Sequence, residues 1–454
     1  MTFAAVYVFF LLYAVLRLFR RPSETEANYI VAGRRLTLPA FVATMVSSWY
    51  GGILGVGEYA WTYGVSNWLV FGAPYYLYAV AFAVLLARRA RQSRVLTLPE
   101  LLHDRYGRTP ALLGAATIFV MTVPAAYVLM LGVLVEMATG WPLWLGVTLG
   151  AALSLGYVLR GGLRAIVGTD KLQFALMFLG FVVLVPVCAA KYGGWDYLRG
   201  ALPASHLTWS GGRGFQAVAV WYVIAASTLV EPAFYQRCYA ARDGRTARRG
   251  LFVSVGFWIL FDFLTTTAGL YARAVLPALE RPMAAFPLLA AEVLPPVWRG
   301  LFVTGLLATI MSTVDTNAFV AAVTGGRDIW SKLRGRPGDE AASLRASRRA
   351  LPVVGALSVG LALWSGSVIE LWHHLGSVGT PVLLLPVLLA HGRRRRSGRR
   401  VALSMCVSAV VSLSWLALGG GGPWLGVESI FPGLAASAAV MLTEKGAAPA
   451  GTAP

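Results

Sequence analysis

Ser47-Ser48-Trp49-Tyr50-Gly51-Gly52-Ile53-Leu54-Gly55-Val56-Gly57 sets four glycines and two serines inside an otherwise apolar segment, Leu38–Gly57. Glycine weakens a membrane-spanning helix and frees backbone groups that hydrocarbon cannot satisfy. Such a stretch survives only against protein or a water-filled site. A second break, Ser227-Thr228-Leu229-Val230-Glu231-Pro232, puts a carboxylate and a proline inside the apolar segment Phe215–Phe234. Each break lies in the first segment of a block of five, Leu38–Ala190 and Phe215–Leu389. Blocks of five that enter the bilayer from opposite sides are inverted repeats, and matched interruptions in such repeats mark a central binding site.

The rest of the chain supplies the spans that this reading needs. Of 454 residues, 57% are hydrophobic and only 13% charged, where a soluble domain carries about 25% charged residues. The sequence predicts an all-α integral membrane protein of about thirteen helices. They lie near Phe3–Phe19, Leu38–Gly57, Trp68–Leu86, Ala111–Met137, Pro142–Leu159, Leu172–Ala190 and Phe215–Phe234, then Leu251–Leu276, Trp298–Val323, Leu351–Ile369, Leu371–Leu389, Val401–Leu418 and Trp424–Leu442. Each is close to the ~20 apolar residues that cross a hydrocarbon core.

Charge fixes the orientation. Phe3–Phe19 could be read as a signal peptide, but its basic residues Arg17, Arg20 and Arg21 follow the apolar run instead of preceding it. It is therefore read as a helix whose N-terminus is outside. Thirty-three of the 39 Lys and Arg residues then fall on the cytoplasmic side, where loop lysines and arginines concentrate. The cluster Arg393–Arg396 with Arg399 and Arg400 is the clearest topology anchor. The net charge of +19 is thus explained without nucleic acid. The expected organisation is an extra N-terminal helix (1–22), repeat 1 (36–192), repeat 2 (213–392), two extra C-terminal helices (400–443) and a short cytoplasmic tail (444–454). No polar stretch is long enough to be a fused output domain.

Few groups carry chemistry. Cys188, Cys238 and Cys406 are far apart, and the five histidines lie near loops or helix ends. Neither a metal cluster nor a nucleophile–base set is evident, and there is no Gly-rich phosphate loop, so an enzyme is not expected. Intramembrane acids cost about 2.5–3.5 kcal/mol even on insertion scales. Here they are Glu136, Asp170, Glu231, Asp262 and Asp315, with Glu58 near a helix end. Asp262 and Glu136 read as packing or helix-pairing acids. In Ala308-Thr309-Ile310-Met311-Ser312-Thr313-Val314-Asp315-Thr316, residues Ser312, Asp315 and Thr316 share one helix face. Hydroxyls at this spacing often only satisfy carbonyls one turn back. Facing an interrupted helix, they and free carbonyls could instead replace the hydration shell of an alkali cation.

Gly161-Gly162-Leu163-Arg164-Ala165-Ile166-Val167-Gly168-Thr169-Asp170-Lys171-Leu172-Gln173 resembles the GG-x-x-A-V-x-x-T-D-x-x-Q pattern of the sodium:solute symporter family, with Ile166 in place of valine. The Ala-x-x-Met-Ser-Thr stretch ending at Thr313, the Leu54-Gly55 turn and Glu231-Pro232 with Gln236-Arg237 are similar to the same family, nearest to its proline and pantothenate branch. The resemblance runs from about Phe3 to Leu442.

What it implies is a LeuT-type 5+5 inverted-repeat fold with one extra N-terminal and two extra C-terminal helices. A sodium ion would be held by the carbonyls of Met45, Ser48 and Thr309 and the hydroxyls of Ser312 and Thr313. Some family members bind a second cation, here at the positions of Asp170, Asp315 and Thr316, where Asp315 stands in place of serine. The solute would lie between the breaks, near Gly51, Gly52, Gly55, Ser227, Thr228 and Glu231. An ionised Glu231 would favour a cationic or zwitterionic solute. Ser227 stands where the family's sugar transporters place an aromatic gate. The expectation is sodium-coupled import of a small organic solute across the plasma (inner) membrane by alternating access, with no obligate protein partner. The rivals are a proton-coupled symporter of the same fold and a transport-deficient solute sensor.

Overall fold

The computed structural model describes residues 25–334, 339–365, 368–392 and 396–443. The expected first helix, Phe3–Phe19 with its flanking arginines, lies outside the described residues, as do the tail after residue 443 and Arg393–Arg395. Among the described residues the protein is helical, with two isolated β-bridges and no longer strand. Ten helices are long and apolar enough to cross a membrane, and Val368–Ala390 and Ile430–Leu442 complete the expected order.

In chain order the elements that matter are α1 (Glu26–Val31), α2 (Leu38–Ser47), α3 (Ile53–Tyr63), α4 (Ala73–Leu85), α5 (Leu98–Tyr106), α6 (Arg108–Thr122), α7 (Ala125–Thr139), α8 (Leu143–Gly161) and α9 (Leu163–Tyr192). They continue with α10 (Phe215–Ile224), α11 (Pro232–Ala240), α12 (Gly244–Val275), α13 (Ala285–Val293), α14 (Pro296–Val323), α15 (Glu340–Ser365), α16 (Val368–Ala390), α17 (Gly398–Leu418) and α18 (Ile430–Leu442). Helix α14 is the axis of the protein: 94% of the most apolar stretch of the span it begins is buried, against 28% for α17, which lies at the periphery.

Both expected interruptions are present as local changes of backbone. α2 ends at Ser47, Tyr50–Gly52 form a 3-10 turn, and α3 resumes at Ile53. α10 gives way to a 3-10 segment, Ala225–Val230, before Glu231 caps α11 by accepting from Ala233 N at 3.3 Å. A third interruption was not expected. The segment read as one helix over Ala111–Met137 is split at Val123-Pro124, where Val123 is extended (φ −65°, ψ 116°). Proline disfavours the α conformation in the residue before it. Uniform hydrophobicity concealed that signal.

The family-like loop at Gly161-Gly162 has a steric explanation. Gly162 adopts φ +56°, closing α8 through Gly162 N to Val158 O (2.9 Å), and a side chain there would collide with Tyr29 of α1. Only glycine takes this conformation and this close approach without penalty. The ends of the two broken spans are also joined to each other. Leu36 N donates to Ala240 O at 3.0 Å and Arg242 N to Leu36 O at 3.1 Å. On the opposite side His206 Nε2 lies 3.0 Å from Trp61 O, pinning the 204–207 turn over the end of α3; burial lowers the pKa of this imidazole.

Candidate cation and solute site

The break after α2 changes which backbone groups are satisfied. Trp49 N donates to Val46 O at 3.3 Å, one residue short of the α-helical partner, which leaves the Met45 carbonyl without its helical donor. Ser48 Oγ donates back to Thr44 O at 2.6 Å, so its carbonyl, not its hydroxyl, faces across. Opposite, Thr313 Oγ1 of α14 donates to Ser48 O at 2.9 Å, and Ser312 Oγ lies 3.0 Å from Ser47 Oγ. Thr309 behaves differently, donating back to Gly305 O at 2.7 Å. Ser312 and Thr313 therefore reach the first broken span, while Thr309 turns its hydroxyl back into its own helix. Gly51 makes the approach possible: a Cβ there would lie 2.5 Å from Thr313 Oγ1 and 2.7 Å from Thr313 Cγ2.

Ser312 also connects this contact to a buried charge pair. Its hydroxyl donates to Asp170 Oδ1 at 2.7 Å, and Thr44 Oγ1 donates to Asp170 Oδ2. Arg237 of α11 donates to Thr44 Oγ1 at 3.2 Å and to Thr316 Oγ1 at 2.7 Å, 4.0 Å from Asp170 Oδ2. Arg237 and Asp170 are both fully buried. A desolvated pair of this kind depends on hydrogen bonds to its remaining atoms; the hydroxyls of Thr44, Ser312 and Thr316 supply them to Asp170 and to one Nη of Arg237, while Arg237 Nε is left without a partner. Arg237 stood out in sequence only as part of the family-like Gln236-Arg237 pair; its pairing with Asp170, Thr316 and Thr44, 67 or more positions away, did not. Thr44 and Ser47 were open to detection, since Thr44, Ser47 and Ser48 share one face at i, i+3, i+4, as on α14.

Asp315 and Asp170 occupy different surroundings. Asp315 Oδ2 accepts from Tyr157 OH of α8. Its Oδ1 has no hydrogen-bond partner, and neither do Ser154 Oγ nor the amide of Gln173, all buried. Among the described residues no Lys, Arg or His pairs with it. Two other membrane acids have local partners, while Glu58 Oε2 is buried without one. Asp262 accepts from Tyr76 OH on α4, and Glu136 sits at the surface 3.9 Å from Arg281.

A cluster of rings links the two breaks through Trp49 and Phe234. Trp49, half-buried on the first break, lies 5.5 Å from Tyr75, 5.2 Å from Phe234 and 5.4 Å from Trp258. Phe234 follows the second break by two residues, and it stacks on Trp258 at 5.8 Å. Thr228 Oγ1 is buried without a partner, Ser227 is half-buried, and Glu231 serves as the cap of α11. Gly52 caps α3, with Gly55 buried in its first turn. Trp49 and Phe234 were visible in sequence as aromatics at the breaks. Tyr75 and Trp258 are distant in sequence and were not.

The sodium:solute symporter family matches residues 29–398. The Escherichia coli sodium/pantothenate symporter is 28% identical over 344 residues, covering 73% of this chain and 70% of that protein. The Bacillus subtilis osmoregulated proline transporter OpuE is 25% identical over 444 residues, covering 90% and 87%. A Na+-coupled sialic acid symporter, solved substrate-bound and outward-open, superposes with a TM-score of 0.83 over 99% of both chains at 16% identity, a likeness of fold.

Proposed function

The chain belongs to the sodium:solute symporter family, and on that premise we propose that it imports a small organic solute by alternating access between two inverted repeats, 36–192 and 213–392. It is a multi-pass sodium-coupled solute transporter and not an enzyme. The coupling ion would lie between the carbonyls of Met45, Ser48 and Thr309 and the hydroxyls of Ser312 and Thr313. The observation that carries this reading is the hydroxyl pair of α14 set against the interrupted backbone at Ser48, with Thr313 Oγ1 on Ser48 O. In the ion's presence that hydroxyl would turn its lone pair to sodium, a hard cation that takes neutral oxygens in place of water. The solute would sit beside Trp49, Thr228 and Ser227, between the breaks.

The driving force is adequate for uptake. One charge crossing 100 mV contributes about 2.3 kcal/mol, and a tenfold sodium gradient about 1.4 kcal/mol. Their sum supports roughly 500-fold accumulation at tenfold per 1.36 kcal/mol.

Asp315 favours a second cation. A buried carboxylate without a cationic partner takes up either a proton or a metal ion, because the bare charge costs several kcal/mol. The unpartnered oxygens of Ser154 and Gln173 beside it would complete such a site, while Asp170 and Thr316 are already engaged by Arg237.

Alternating access also needs a seal that can part. Arg327, at the end of the span begun by α14, meets Glu26 of α1 at 3.0 Å, Glu100 of α5 at 3.2 Å and Asp328 at 3.0 Å, and Ser343 donates to Glu26. Glu26 precedes the first broken helix, so this cluster ties that helix to the central axis on the side that charge assigns to the cytoplasm. An inward-open state would have to break it. The proposed setting is the plasma membrane with the N-terminus outside and the C-terminus inside.

The direct test is solute uptake into proteoliposomes, screening amino acids, carboxylates, vitamins and quaternary amines under an inward sodium gradient. Uptake that collapses when potassium replaces sodium is expected. Uptake that persists without sodium on a pH gradient alone would favour proton coupling instead, and measurable solute binding with no counterflow would mean a sensor.

A further inference from the structure

A cavity of about 660 Å³ opens where α8 meets α15, lined by Leu159, Arg160, Arg348, Arg349 and Pro352. Its size is within the roughly 300–1,000 Å³ of ordinary ligand sites, and none of its lining residues belongs to the interrupted helices. Three of its five lining residues are arginines and none is an acid. Arg160 is the penultimate residue of α8, and Arg348 and Arg349 lie just before the apolar part of α15, so all three sit at one membrane edge. The apolar helices behind them are mostly unburied within the protein: only 39% of the apolar stretch of α8 and 33% of that of α15 is buried. One turn beyond the cavity the helices approach closely: a Cβ on Gly355 would lie 2.6 Å from Leu155 Cδ1. A groove remains above that contact. Pro352 adds to it by withholding the backbone donor that a helix would aim at the carbonyl of Arg348.

From this cavity we infer a binding site for an anionic phospholipid, with its headgroup phosphate among Arg160, Arg348 and Arg349. Guanidinium groups grip phosphate through paired hydrogen bonds, and basic pockets between membrane helices suit such headgroups. The apolar half of the ligand is also provided for. Arg349, Val353, Leu357 and Leu361 recur every four residues, and the last three are 56%, 42% and 38% exposed. They form an apolar stripe, running from the arginines into the bilayer, along which an acyl chain would lie. A free phosphate would use only the arginines and leave that stripe uncovered, so a lipid is the occupant. Three cationic groups further favour a lipid bearing two phosphates over one bearing a single phosphate.

Native mass spectrometry of the full chain, titrated with cardiolipin, phosphatidylglycerol or phosphatidylcholine, tests the site. The informative variant is Arg160→Gln with Arg349→Gln. It spares Arg348, whose guanidinium lies 5.3 Å from the Tyr29 ring and contributes to packing. The wild-type protein should retain cardiolipin most tightly and phosphatidylcholine least. The variant should bind cardiolipin about thirtyfold more weakly, each surface arginine contributing about fivefold, while its melting temperature in detergent stays unchanged. Equal retention of all three lipids, or equal cardiolipin binding by wild type and variant, would overturn the assignment. So would displacement of cardiolipin by millimolar inorganic phosphate, which would make the cavity a phosphate site. Val353→Asn with Leu357→Asn provides the second arm. It should weaken lipid retention without the charge change, and no effect there would remove the lipid's chain from the account.

Discussion

Asp170→Asn should lower sodium-driven uptake by at least a hundredfold at matched protein in the vesicles. The amide keeps the shape but removes the charge that balances Arg237, whose side chain has no solvent contact. Removing one partner of a buried pair costs about 3–5 kcal/mol, and about 3 kcal/mol already exceeds a hundredfold at 1.36 kcal/mol per factor of ten. Two further contacts change with it. Thr44 and Ser312 donate to different oxygens of the carboxylate, so the amide can accept from only one of them and must set its NH2 against the other. The damage would therefore pass through Ser312 into the cation contact and through Thr44 into the first broken helix. Asp262→Asn is the comparison. Asp262 accepts from Tyr76 and pairs with no cation among the described residues, so an amide oxygen can replace it and uptake should fall less than tenfold. A larger loss at Asp262 than at Asp170 would show that the roles had been exchanged.

Gly51→Ala should raise the sodium concentration for half-maximal uptake by at least tenfold. The added methyl has nowhere to go: Thr313 Oγ1 and Cγ2 stand 2.5 Å and 2.7 Å from its position, and Thr313 is fixed on the most buried helix. Overpacking of this kind costs about 1–3 kcal/mol. The helices can relieve it only by moving apart, which lengthens the contact from Thr313 to Ser48. Gly256→Ala on α12 faces open space and should leave sodium dependence as it is. If the two alanines behaved alike, close approach at Gly51 would have no bearing on the ion.

Much of the fold was legible because hydrocarbon imposes simple rules. Apolar length located the spans, and the side preferred by Arg and Lys ordered them. The interruptions at Gly51-Gly52 and Glu231-Pro232 were readable because glycine, proline and a carboxylate are each costly in mid-bilayer. The split at Val123-Pro124 carried the same kind of signal, but a single proline in a long apolar run looked tolerable. Helix α15 begins at Glu340, well before the expected Leu351, because its first turns are polar and hydropathy ignores them. Within the site, helical spacing identified the face bearing Ser312, Asp315 and Thr316 but not what each meets. Only the packing of α8, α9 and α11 around α14 assigns Asp315 to Tyr157, Thr316 to Arg237 and Ser312 to Asp170. Sequence distance likewise hid the rings of Tyr75 and Trp258, while Trp49 lay in plain view beside the glycines.

The most direct test is equilibrium binding of radioactive sodium to the purified protein, before any question of solute arises. Wild type should bind sodium saturably, and Ser312→Ala with Thr313→Ala should weaken that binding about tenfold or more, since each hydroxyl lost removes a ligand worth about 1 kcal/mol or more. Saturable binding of unchanged affinity in the double variant, with both proteins folded, would place the ion elsewhere and contradict the account.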